Sequence, residues 1–368
     1  MKGFSTILLS VLLLFVVESN GQVTGCTDSN ANNFNPSATI NDGSCTYNIT
    51  LFNPTFKYML SDEIDETSGL AFHNDRLWTI NDSGGFPVIY AFDTITGEIV
   101  QRITVANSIN VDWESLADDD EYIYIGDFGN NSGNRDDLTI YRISKSDIPS
   151  RGDGTIPSSK LTYTYSDYSG KVERKKDNNF DCEAFIADGD SLYLFSKNYG
   201  DQQTKLYRLP KVPGDYVAEL ITTYNTSGLI TGADINKESR EITLIGYVNQ
   251  SWVPFTWLLF DFEDRNFFSG NKRRIDMPNM VATQTESVVY TYGKNEFITS
   301  EGHVLFTQST YVFNSGNWTN NSPTLIAEVS SSKFDFILSP VPVKKSKLTY
   351  FAIYCVIVGI IAIIWTQI

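Results

Sequence analysis

Histidine is almost absent from this sequence. Only His73 and His303 occur in 368 residues, so a Ser-His-Asp triad or a histidine-rich metal site has almost no material. Cysteine is nearly as scarce: Cys26, Cys45, Cys182 and Cys355 are the whole supply, and their dispersal argues against a zinc cluster. Cationic side chains are outnumbered 28 to 44, for a formal charge of −16. That balance argues against a nucleic-acid partner or an anionic membrane surface, and suits a protein outside the cell or one that collects cations. Helical periodicity is lacking between about residues 48 and 325, which speaks against a helical domain there.

What is present is apolar and aromatic. At 41% hydrophobic and 13% aromatic residues there is material for a full core, and length alone allows roughly two domains. Lys2 precedes an apolar run at 7–17, followed by the polar "ESNGQ". This reads as an export signal over 1–21, cleaved after Gly21, since the run is about half of what a membrane span needs. A second apolar stretch, "LTYFAIYCVIVGIIAIIWTQI" at 348–368, carries no charge and is long enough to cross a bilayer. Lys344, Lys345 and Lys347 flank it on the outer side, against the positive-inside tendency. A GPI-attachment signal with "SSS" at 330–332 is therefore the rival to a transmembrane helix. Residues 326–347 read as a linker. Seven N-x-S/T sequons, at Asn48, Asn81, Asn130, Asn225, Asn249, Asn317 and Asn320, fit a secreted glycoprotein.

Cys26 and Cys45 bracket a stretch rich in Asn, Asp, Ser and Gly, which predicts one disulfide in a loop-rich module over 22–47. Cys182 is expected to stay unpaired. The segment "GCTDSNANNFNPSATINDGSCTY" resembles a short module of secreted and surface proteins of marine Bacteroidetes. That resemblance implies surface location. The module is expected to be a disulfide-tied spacer, with replacement of Cys26 leaving the melting of the propeller nearly unchanged.

From 48 to 325, short runs of Tyr, Phe, Ile, Val and Thr alternate with Gly, Asn and Asp turns, the pattern of an all-β domain. One unit recurs, with strands such as "ESLADDD", "YIYIGDF" and "LTIYRIS". Its opening residues are Ser68, Glu114, Glu183, Thr231 and Glu286. Four units own a fourth strand; the fifth does not, and a spare strand stands in front as "PTFKYML" at 54–60. These counts predict a five-bladed β-propeller closed by its N-terminal strand, which leaves no open edge. A sixth blade is the alternative if "TLIAEV" and "FDFIL" form part of one.

First strands of propeller blades line the central channel, so the five openers are expected to converge there. Crowded carboxylates resist ionisation unless neutralised, and a calcium ion takes six to eight hard oxygens. A solvated channel with hydrogen-bonded glutamates is the competing reading. The order Ser, Glu, Glu, small hydroxyl, Glu resembles the calcium-activated nucleotidase (apyrase) family of five-bladed propellers, and implies a central calcium at these five residues. The nucleotide loops of that family are poorly matched. In "NDSGG" Asp82 matches an aspartate but Ser83 stands where arginine would, and "SKNYG" offers only Lys197.

Three functions follow. The chain is expected to be a membrane-anchored surface propeller that binds an extracellular ligand, glycan or protein. A calcium-dependent hydrolase of phosphate or ester bonds, using Asp82, Asp127 and Lys197, is the alternative. A purely architectural ectodomain is the third.

Overall fold

The computed structural model describes residues 21–319 apart from 171, 173, 281–282 and 303–305. The expected export signal, the tail at 348–368, the segments proposed for a sixth blade, His303 and Asn320 lie outside the described residues. Within those residues, no helix is long and apolar enough to cross a membrane.

The chain begins with two short strands, β1 (Thr24–Gly25) and β2 (Ile40–Asn41), paired in parallel. Next come β3 (Thr50–Leu51) and β4 (Thr55–Met59). A first antiparallel unit follows, of β5 (Thr67–His73), β6 (Arg76–Asn81), β7 (Val88–Asp93) and β8 (Ile99–Ala106). The second contains β9 (Trp113–Asp118), β10 (Tyr122–Asp127) and β11 (Thr139–Ser144), then β12 (Gly154–Pro157) and β13 (Ser159–Tyr165). β14 (Asp181–Asp188), β15 (Ser191–Lys197), β16 (Thr204–Pro210) and β17 (Gly214–Tyr224) make the third. The fourth is β18 (Leu229–Asn236), β19 (Glu241–Tyr247), β20 (Pro254–Phe260) and β21 (Asn271–Asp276). The last is β22 (Thr285–Tyr290), β23 (Asn295–Ser300) and β24 (Ser309–Asn314), completed by β4, which pairs antiparallel with β24.

These units form a ring with a propeller-like arrangement. The first strands abut in cyclic order, β5 to β9 to β14 to β18 to β22 and back to β5. Apolar side chains fill the gaps between neighbouring units. Trp78 and Ile80 of the first unit meet Trp113 and Ile123 of the second, and Phe128 of the second meets Phe185 of the third, edge to face at 5.2 Å. The gap that closes the ring is packed by Leu70 and Phe92 from the first unit against Val289 from the last. Alternating apolar residues on strands buried on both faces require such sandwiching.

The outer strands pair in a way the repeat did not foretell. β12, from the second unit's long connection, runs parallel to β8 of the first. β13 and β17 pair in parallel, joining units two and three into one eight-stranded sheet. β3 covers β21. Outer edges are thus largely satisfied by backbone hydrogen bonds between units.

Cys26 and Cys45 form the expected disulfide, and Cys182 is free and buried. The module they tie is docked on the ring, contrary to a free spacer. Asn41 donates to Asn271 at 2.9 Å, the Lys272 ammonium donates to the Gly43 carbonyl at 3.1 Å, and Tyr47 packs against the core between units four and five. The sequon at Asn130 is buried in the fold. The residue is 2% exposed, and its side-chain amide donates to the Phe180 carbonyl at 3.2 Å.

Candidate functional site: the acidic mouth of the ring

Four of the five opening positions coincide with a break in strand register. Trp113 and Ser115 face consecutive residues of β10, so Glu114 is the extra residue of a bulge. Glu183, Thr231 and Glu286 are skipped in the same way in β14, β18 and β22. A bulge re-aims the extra side chain, which is how a carboxylate at the head of an apolar strand escapes the core. In β5 the skipped residue is Gly69, one position after Ser68. Gly69 has a positive φ, and a Cβ there would lie 2.3 Å from the Leu116 nitrogen. Ser68 and Thr231 use their hydroxyls to tie first strands together. Ser68 Oγ donates to the Glu114 carbonyl, and Thr231 Oγ1 donates to the Thr285 carbonyl at 2.6 Å.

The three glutamates do gather, but their partners differ. Glu183 receives both its hydrogen bonds from the Lys197 ammonium. That cation also lies 5.4 Å from the Tyr247 ring and 5.6 Å from the Tyr199 ring. Burial pushes the Glu183 carboxyl upward while Lys197 opposes it. Glu286 is held high by burial and by Glu183. Glu301 also raises it, and is itself pushed up to about 7 by burial and Asp82. Gln284 donates to Glu301.

Glu114 has a different neighbourhood. Only 3% of the residue is exposed, and its Oε1 has no hydrogen-bond partner. Asp82, from the loop after β6, and Asp112, two residues ahead, each bring a carboxylate oxygen so that the three lie within 4.8 Å of one another. Gly129 makes room for them: a Cβ there would stand 2.3 Å from Glu114 Oε1 and 2.4 Å from Asp112 Oδ2. Burial, Asp82 and Asp181 raise the Asp112 carboxyl to about 6, and burial followed by Glu183 raises Glu114. Asp181, fully buried, leaves its Oδ2 unpartnered as well.

Of the remaining expected site residues, Asp127 is committed elsewhere. It accepts from Arg135 at 3.1 Å and from the Asp112 amide at 3.0 Å. His73 lies at the far end of β5. At that opposite end of the channel a cavity of about 230 Å³ is lined by Phe72, Asp118, Asp234, Lys237, Tyr290 and Gly293, among others.

The ring and its mouth define an all-β, propeller-like protein with an acidic centre. The sequence matches no family model and no curated protein. Solved structures similar in outline include hydrazine synthase of Kuenenia stuttgartiensis, at 13% identity and TM-score 0.35, covering 66% of this chain and 57% of that one. Another is the PQQ-bound aldose sugar dehydrogenase of Streptomyces coelicolor, at 10% identity and TM-score 0.44, with 71% and 97% covered. A third is the exo-β-1,3-galactanase of Phanerochaete chrysosporium with β-1,3-galactotriose, at 10% identity and TM-score 0.44, with 71% and 64% covered. The chain thus spans less than two thirds of the first and third. Likenesses this loose say nothing of the site.

Proposed function

We propose that this chain is a membrane-anchored, cell-surface, five-bladed β-propeller that binds an extracellular ligand at its acidic mouth through a calcium ion. The observation that carries the reading is Glu114 Oε1, buried without a partner beside Asp82 and Asp112. A buried, unpaired carboxylate oxygen is costly, and a divalent cation held by all three groups removes the cost. Hard oxygen donors favour calcium over a softer metal. Export and anchoring rest on the segments at 1–21 and 348–368.

The five openers fit a shared central ion less well than this trio does. Lys197 already neutralises Glu183, and the Ser68 and Thr231 hydroxyls are tied to first-strand backbone, donating to the Glu114 and Thr285 carbonyls. A bound calcium would supply positive charge and open coordination positions at the surface of the mouth. Glu114 would fix it from below, while Asp82 and Asp112 would hold it from the loops. Hydrolysis of a phosphate by Asp82, Asp127 and Lys197 has less support. Charge-assisted bonds from Arg or Lys are the strong phosphate contacts, yet the one assigned here, Lys197, is paired with Glu183, and Arg135 with Asp127 and Asp137.

The test is the melting temperature of wild type and variants with calcium and with chelator. Binding to the native state alone adds about 1.4 kcal/mol for each tenfold excess over the dissociation constant. Wild type should respond, Glu114→Gln should lose most of the response, and Glu286→Gln should keep it. A wild type indifferent to calcium would contradict the reading.

A further inference from the structure

We infer that the ligand taken at the mouth is a neutral saccharide, bound by vicinal hydroxyls to a calcium at Asp82, Asp112 and Glu114 with its C–H face on Phe86, Ile109 and Val111. The inference rests on the calcium reading above and names the chemistry that completes it.

Charge decides first. Three carboxylates overbalance a divalent ion by one unit, and Asp181 adds a further buried carboxylate with an unpartnered oxygen nearby. An anionic ligand would approach a centre that is already negative. The two buried cationic side chains beside these carboxylates are committed, Lys197 to Glu183 and Arg135 to Asp127 and Asp137; Lys175, over the Tyr199 ring at 4.9 Å, stays at the surface. The excess of carboxylates therefore favours neutral oxygens for the remaining positions. Calcium accepts six to eight oxygens, so the trio leaves room for at least two more. A pair of adjacent sugar hydroxyls supplies them without adding charge.

Apolar surface decides second. The loop at 82–87 carries Asp82 and, one residue before its end, Phe86, which is 86% exposed. The loop at 107–112 carries Asp112 together with Ile109 and Val111, 67% and 45% exposed. The two loops are tied to each other. The Asn110 amide donates to the Asn81 and Asp82 carbonyls at 3.0 and 3.2 Å, so the loops that carry the apolar side chains and two of the carboxylates lie side by side. Recognition sites pair apolar and aromatic area with a few placed polar groups, and a sugar ring offers both kinds of face at once. A simple hydrated ion would give these side chains nothing to cover.

The experiment uses the full-length protein. Calcium uptake is measured first by calorimetry. An array of neutral mono- to tetrasaccharides is then probed in calcium and in chelator, with inorganic phosphate and ATP as anionic probes. At least one neutral glycan should bind in calcium and be released by chelator. Phe86→Ala should weaken that binding roughly tenfold while calcium uptake stays unchanged. Calcium uptake with no neutral glycan bound would overturn the inference and leave the calcium reading standing. Binding of phosphate or ATP in place of glycans would overturn it too, as would a Phe86→Ala protein that keeps full glycan affinity. Failure to take up calcium would overturn both readings.

Discussion

Lys197 and Glu183 form an ion pair in which each side chain is 5% exposed, at the centre of a channel crowded with other carboxylates. Replacing Lys197 with Met leaves Glu183 buried and uncompensated, a change that costs about 3–5 kcal/mol. Urea denaturation should show that loss, and the double change Lys197→Met with Glu183→Leu should recover most of it. Asp234 makes a second prediction at the same scale. Burial and then Asp118 raise its carboxyl from 3.8 to about 7, while its Oδ2 accepts the Tyr290 amide at 2.7 Å. Because the folded pKa lies above the unfolded one, the unfolded chain binds fewer protons between about pH 4 and 7. The group's contribution to stability is therefore present at low pH and lost as pH rises, by up to about 1.4 kcal/mol per pH unit. Asp234→Asn should remove that slope, seen as a stabilisation relative to wild type that is larger at pH 7 than at pH 5. An equal effect at both would contradict it.

Among the elements, the bulges explain both what the sequence pattern reveals and what it hides. Apolar alternation locates the strands, and the Glu at the head of β9, β14 and β22 stands out because it breaks that alternation. Register is invisible in a pattern of period two until a residue is skipped. Ser68 therefore looks like the first unit's opener, although the bulged residue is Gly69. Gly69→Ala should destabilise the ring by about 1–3 kcal/mol, because the new Cβ meets the backbone of β9 and the residue has a positive φ. Lys197 was legible as a loop cation but not as the partner of Glu183. The hairpin register that sets Asp181 opposite Lys197 is the signal that could have found it. The link of Glu114 with Asp82 was hidden for a different reason: it crosses between units, and no local spacing records that; Asp112, two residues ahead of Glu114, was the local half of the trio. Glu114 and Glu183 stand 69 residues apart, the widest spacing between successive openers. Strand β12 within that interval, however, serves the first unit's edge. Amides of Leu161–Tyr165, shared between two units, should exchange with solvent far more slowly than those of the outer strand β4.

At the level of the whole molecule, closure is what places the carboxylates together. Packing between the last and first units completes the ring, and only then do loops from units one and two share a mouth with glutamates from three and five. The disulfide module is part of this assembly through Asn271 and Lys272. Replacing both Cys26 and Cys45 with serine should therefore lower the melting temperature of the ring itself, where an independent spacer would leave it unchanged. The central claim is the position of the cation. A crystal of the full-length protein grown with calcium, and a second with manganese for its anomalous signal, locate it directly. The account predicts one ion about 2.3–2.6 Å from carboxylate oxygens of Asp82, Asp112 and Glu114, with the Lys197 ammonium still on Glu183. An ion on the ring axis between Glu183 and Glu286, with Lys197 displaced, would contradict it, as would a mouth that takes up no ion at all.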